Sequence, residues 1–247
     1  MPTWIIPDWI AALIAAPFVG SFLAVLIRRL PAGRDIVWSR SACETCGANI
    51  QARDLIPLWS HLRLRGRCRQ CAAPIAPQHW RVELAAVGIA SWAALIDPAP
   101  LLWLDCAFGW TLLALAWIDW EHMVLPDALT LPLLPAGLAA SLWLEPGLAT
   151  DHALAAAIGY AALRLIAMLY RRFRGREGLG QGDAKLLAAI GAWTGLETLP
   201  WVLLGAALAG LAAALLMRLR GQEVQASTAI PFGPCLAFAG WVVRLYA

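Results

Sequence analysis

The chain has 247 residues, 61% of them hydrophobic and only 14% charged, with a mean hydropathy of +0.66. A water-soluble domain is about half apolar and about a quarter charged, so this composition excludes a soluble globular protein and indicates a polytopic membrane protein. The net charge of +3 excludes little, and the positions of the charges are more informative.

The first apolar segment, 9–27, is about long enough to cross a bilayer. It follows Asp8 rather than a basic stretch and precedes Arg28 and Arg29. It is therefore expected to be a retained span with its N-terminal side outside, not a cleaved signal peptide. Next comes the one long polar region, 28–82, with ten of the nineteen basic residues and four of the six cysteines. Seven more apolar segments follow, at roughly 84–96, 101–118, 128–144, 153–170, 186–196, 201–217 and 229–243. Eight spans is the expected count, with the second and sixth short enough to be partly embedded. Tryptophan gathers at membrane–water interfaces, and Trp4, Trp9, Trp143, Trp193, Trp201 and Trp241 fall near segment ends.

Basic residues set the orientation. They cluster in 28–81, again at Arg171, Arg172, Arg174 and Arg176, and again at Arg218 and Arg220. The intervening turns at 97–100, 145–152 and 197–200 have no Lys or Arg. This asymmetry predicts that the basic loops face the cytoplasm and both termini face outside. Nucleic acid binding is not expected, because juxtamembrane basic clusters ordinarily set topology and contact anionic lipid.

Two groups of residues carry chemistry. Cys43 and Cys46 form one CxxC pair, and Cys68 and Cys71 form another, separated from the first by 21 residues. Two such hooks in a small loop are the ligand set of a closed, structural tetrahedral zinc site. A cytoplasmic position argues against the alternative, paired disulfides, and unligated thiols are the third reading. Cys106 and Cys235 lie in apolar segments and read as small core residues. The second group is carboxylates. Asp119 closes the third span and Asp183 opens the sixth, so the topology brings both to the cytoplasmic face. Asp183 follows the glycine-rich run 178–182, whose backbone can bend freely and approach a partner closely. Locally it reads equally as a helix cap or as a functional acid at a membrane helix mouth. Asp105, about 21 Å from Asp119 along one helix, reads as a polar residue near the outer interface or in a helix contact. Asp127, after Pro126, reads as a helix cap.

The sequence IDWEHMVLPD from Ile118 to Asp127 resembles the first aspartate motif of the type IV prepilin peptidases, and GLGQGDAKLL from Gly178 resembles their second, the GxGD motif. Further matches are GSFL at Gly20, with Arg28-Arg29-Leu30-Pro31; VEL at Val82; and IPFGP at Ile230, with Ala239-Gly240-Trp241. They occur in one order over nearly the whole chain. Departures are Ala24, Glu44 and His79-Trp80-Arg81, all in the N-terminal third.

The resemblance implies an all-α membrane protein of about eight transmembrane helices with a small cytoplasmic zinc-binding loop domain between the first two. The division is a first segment at 1–27, the tetracysteine domain at 28–82 and an aspartyl peptidase domain at 83–247. It further implies an intramembrane aspartyl endopeptidase of the bacterial inner membrane that cleaves the basic leader of type IV prepilins or type II secretion pseudopilins. Asp119 and Asp183 would be its catalytic pair. The tetracysteine loop resembles that of bifunctional members, which N-methylate the new terminus using S-adenosylmethionine, although no residues for that cofactor are nameable from the sequence. Glu83, Glu121 and Glu177 are candidates for contact with the basic leader. The rival readings are a peptidase without methylation, a transporter, and a non-enzymatic pilus-assembly scaffold.

Overall fold

A computed structural model describes residues 6–36, 38, 41–43, 45–97, 101–175, 178–222 and 230–246. Trp4, Arg40, Glu44, Arg176 and Glu177 lie outside the described residues. Those described form nine α-helices and no β-strand: α1 (Asp8–Arg29), α2 (Trp59–Arg63), α3 (Gln78–Ile96), α4 (Leu101–His122), α5 (Asp127–Leu144), α6 (Ala149–Arg174), α7 (Gln181–Thr194), α8 (Leu199–Leu219) and α9 (Gly233–Tyr246). A helix stands at each of the eight expected apolar segments. In α1 the polar ends complement the macrodipole, since Asp8 opens the helix while Arg28 and Arg29 close it. Five are long and apolar enough to cross a membrane: α1, α4, α5, the run Pro146–Arg174 containing α6, and α8. The 14-residue α7 and α9 are about 21 Å long, short of the roughly 30 Å apolar core of a bilayer.

The chain divides into two compact units, 1–114 and 115–247. In the first, α1 packs along α3. Their backbones meet closely at Gly20, where an added Cβ would lie 2.6 Å from the Cα of Glu83. Trp110 Nε1 donates to the Ala86 carbonyl at 3.0 Å, tying α4 to α3, and Trp103 Nε1 donates to Asp8 at 3.0 Å. Asp105 is 2% exposed, so of its two readings the helix contact holds.

The second unit is built on α7, which is buried along most of its length and packed by α5, α6 and α9. Small residues let these neighbours approach. A Cβ on Gly137 of α5 would lie 2.5 Å from the Trp193 ring, and one on Gly240 of α9 would lie 2.9 Å from Ile190. A Cβ on Gly191 of α7 itself would lie 2.9 Å from the backbone of Ala155 in α6. Close backbone approach at small residues is how helices associate where lipid removes the hydrophobic incentive. It also corrects the reading of two tryptophans. Trp193 and Trp241 are 4% and 5% exposed, core residues rather than interface anchors, while Trp9, Trp143 and Trp201 are exposed as expected. Trp193 fills the space left by Gly137 and donates its indole N–H to the Leu133 carbonyl at 2.9 Å.

Gly137→Val should destabilise the folded protein by about 1–3 kcal/mol through overpacking against Trp193. Gly88→Ala, with nothing near its added Cβ, should leave the melting temperature in detergent unchanged or slightly raised. Equal melting temperatures for Gly137→Val and the parent would contradict this packing.

Candidate active site and metal centre

Asp119 lies in the last turn of α4, which ends when Met123 turns left-handed, with φ of 55°, and its N–H closes on the Asp119 carbonyl at 2.9 Å. The chain then passes Leu125 and Pro126 into α5. Leu125 rests on the start of α7, where a Cβ at Gly182 would meet Leu125 Cβ at 2.8 Å. That contact is available only to glycine, and it sets the end of α4 beside the residue after Gly182, which is Asp183.

Both carboxylates are buried, Asp119 at 6% and Asp183 at 8% exposure, and they are near enough to interact electrostatically. Each accepts one backbone N–H. Gly233, at the start of α9, donates to Asp119 Oδ2 at 2.9 Å, and Gly180 donates to Asp183 Oδ2 at 3.1 Å. The second bond is half of a capping box. Asp183 occupies the third position of α7 and reaches back to the N-terminal cap, Gly180, which has no side chain to reciprocate. Asp183 therefore satisfies the capping role and still presents a carboxylate to Asp119. Gly233 fits tightly: an added Cβ would fall 2.6 Å from Asp119 Oδ2. The Cys235 thiol is buried and within electrostatic reach of both acids.

Asp127 is not the cap of α5, since Pro126 holds that position. Instead Lys185 Nζ donates to both its carboxylate oxygens, at 2.6 and 2.8 Å, tying the start of α5 to the start of α7. Neither this pair nor the donor role of Gly233 was legible beforehand. For Lys185 the signal was its place two residues after Asp183; for Gly233 it was a glycine between two prolines at a helix start. Glu121 is held by its own helix, accepting the Trp117 indole N–H at 2.9 Å.

In the other unit, Cys43, Cys46, Cys68 and Cys71 converge, with their sulfur atoms all within 4.8 Å of one another. Two similar hairpin knuckles bring them there. Cys43 N–H bonds to the Ala48 carbonyl at 2.9 Å and Cys68 N–H to the Ala73 carbonyl at 2.8 Å, closed by bridges Ala42–Asn49 and Arg67–Pro74. Each knuckle needs a left-handed residue just after its second cysteine. These are Gly47, with φ of 70°, and Ala72, with φ of 57°. The N–H groups of Cys46 and Thr45, aimed at the Cys43 sulfur, lower its thiol to about 6. The Ala73 N–H acts the same way on Cys71, but desolvation and thiol hydrogen bonds with Cys46, Cys68 and Cys43 leave it raised to about 11. Four thiolates around a tetrahedral ion with bonds of about 2.3 Å lie about 3.8 Å apart. The Cys43 and Cys71 sulfurs are 3.8 Å apart, so the donor set fits such an ion. Arg69 donates to both oxygens of Asp54, at 2.8 Å from its Nε, and holds that carboxyl below the usual carboxylate range.

The sequence profile of the Bacterial Peptidase A24 N-terminal domain matches residues 14–96, and that of the Type IV leader peptidase family matches residues 106–215. A Burkholderia pseudomallei (strain 1026b) protein named prepilin leader peptidase/N-methyltransferase is 38% identical, over 93% of this chain and 82% of its own length. Proteins of the same name from Dichelobacter nodosus and Pseudomonas aeruginosa PAO1 are 38% and 36% identical, over 92% of this chain and 88% and 87% of theirs. No solved structure matches.

The two knuckles should respond oppositely to exchange of their left-handed residues. Gly47→Ala places a side chain where it costs about 1 kcal/mol, and Ala72→Gly relieves a similar cost. Metal release to a chromogenic chelator should therefore be faster in Gly47→Ala and slower in Ala72→Gly. Identical release from both would refute the strain.

Proposed function

The chain belongs to the type IV leader peptidase family, and we propose that it is a membrane-embedded aspartyl endopeptidase that removes the leader of prepilins, or of type II secretion pseudopilins, and N-methylates the terminus so exposed. The observation that carries the catalytic assignment is the pairing of two buried carboxylates from different helices, Asp119 and Asp183, each steadied by one backbone N–H. Like charges this near do not ionise together readily, so the pair shares one proton. The ionised member takes a proton from a water, whose oxygen attacks the scissile carbonyl carbon. The protonated member donates to the carbonyl oxygen. Collapse of the tetrahedral intermediate breaks the C–N bond, and the proton taken from water passes to the departing amine.

The site belongs on the cytoplasmic side of the bacterial inner membrane. What supports this is the set of basic residues at the same helix ends as the pair: Arg171, Arg172 and Arg174 on α6 and Lys185 on α7. All eight long helices cross or enter the bilayer in this reading, α7 within a sheath of protein. Residues 28–82 form the zinc-binding domain, in which Cys43, Cys46, Cys68 and Cys71 close a structural site with no open position for catalysis. Residues 83–247 carry the peptidase. S-adenosylmethionine, when bound, supplies the methyl group for the second activity. A transporter would place its acids near the bilayer midplane. Here Asp119 is three residues from the end of α4 and Asp183 is the third residue of α7, which favours the peptidase.

Asp119→Asn and Asp183→Asn should each abolish leader removal from a prepilin in gel-shift assays while the protein stays inserted in the membrane. Retained processing in either variant would remove that residue from the pair. Gly233→Ala should slow processing by at least about tenfold, the loss expected when a catalytic group is misplaced. Normal processing would show that Asp119 tolerates displacement. Cys43→Ser with Cys46→Ser should remove zinc measured by atomic emission and lower the melting temperature; unchanged metal content would refute the ligand set.

A further inference from the structure

One buried acid is not used by the peptidase pair. Glu83, 6% exposed in the second turn of α3, faces a cavity of about 550 Å³ within the first unit, walled by α1, the cysteine loop and the start of α3. Its Oε2 accepts the Leu58 N–H at 2.7 Å, and the Ser21 hydroxyl donates to the same carboxyl. Leu58 is held at a positive φ of 58° with ψ of −48°, a backbone conformation that side-chain-bearing residues rarely adopt. Gly20, one residue before Ser21, sits on the Glu83 backbone and fixes where the side chain begins. The carboxylate is thus aimed by three separate elements, yet among the described residues no cation pairs with it. The nearby cationic side chain of Arg28 is turned to His79, at 3.3 Å. A buried carboxylate without a counter-charge is costly, and one facing a cavity marks a site for a cationic ligand.

The volume suits a cofactor-sized ligand, for which about 300–1,000 Å³ is usual. Arg34 on the wall offers a cation for an amino-acid carboxylate, and Trp80, with the Arg81 guanidinium 5.9 Å from its ring centre, an aromatic face for a purine. These residues fit S-adenosylmethionine. We propose that this cavity is the methyl-transfer site and that Glu83 binds the α-ammonium of the processed pilin and takes its proton. This rests on the N-methylation reading above. With one proton passed to Glu83, the amine lone pair forms the N–C bond to the methyl carbon. The S–C bond breaks, its electron pair stays on sulfur, and the demethylated thioether leaves.

The test uses the full-length protein in detergent and two substrates: an intact prepilin, and a pilin peptide already bearing its free mature terminus. Glu83→Gln keeps an oxygen for the Leu58 N–H but removes the charge and the base. It should methylate the peptide, which carries no leader, at least about 100-fold more slowly than the parent, the scale of a lost general base. In calorimetry it should bind sinefungin, a donor analogue, within about threefold of the parent and bind the free-amine peptide at least about tenfold more weakly, an effect that a merely structural residue would not separate. Ala76→Trp, which fills the cavity, should lose sinefungin binding while still removing leaders. Parent-rate methylation by Glu83→Gln, parent-strength sinefungin binding by Ala76→Trp, or no methylation of the peptide by the parent would each overturn the proposal. If Glu83→Gln fails to fold, the Ala76→Trp titration decides. Failure of the parent to process the prepilin would count against the peptidase reading, and the peptide assay would still test the methyl-transfer site.

Discussion

The second unit depends on how closely backbone can approach α7. Two carboxylates must meet out of water, and that requires the end of one helix and the start of another to be brought within side-chain reach and kept there. Any Cβ at Gly182 would push Leu125 away and take the end of α4 with it. Any Cβ at Gly233 would collide with Asp119 itself. At Gly137, Gly191 and Gly240 the same constraint acts further along, so α7 is held on three sides. The acids can then be short-tethered and buried, each needing only one backbone donor to fix it. A carboxylate in such surroundings is expensive and is kept for function.

The tetracysteine loop answers a different problem. A stretch of this size, rich in arginine, has too little apolar surface to fold by burial alone, and few of its described hydrophobic side chains are fully buried. Two knuckles of the same hydrogen-bonding pattern replace a core with a metal-ligand set. One accepts an alanine in the left-handed region, a strain that a metal bound by the four sulfurs would offset. The loop in turn supplies the Leu58 N–H to Glu83 and so organises the cavity beside it.

The two units show one device used twice. In each, a glycine allows a close helix or loop contact, and a carboxylate at or next to that contact is aimed by a backbone N–H: Gly182 with Asp183 in one, Gly20 with Glu83 in the other. Acids positioned only by backbone donors have no counter-charge, whereas an acid paired with a cation, such as Asp127 with Lys185, is already satisfied.

Much of this was legible in the sequence alone. Hydropathy marked a helix at all eight apolar segments, because a helix in lipid must be apolar over its whole circumference. The cysteine spacing predicted the cluster, because a CxxC hook delivers both sulfurs from one turn. The prominence of Asp119 and Asp183 came from motif and topology. Other features were decided only by the tertiary structure. Trp193 and Trp241 sit near segment ends like the interfacial tryptophans, and only the glycines opposite and around them reveal a core. Asp127 resembled a cap until Lys185, 58 residues away, took it. Glu83 was one acid among several until α1 and the cysteine loop converged on it. Periodicity and spacing report what neighbours in sequence do together. Which backbone lies against a glycine, and which donor meets a buried acid, depends on residues far apart in the chain, and only the packed structure brings them into contact.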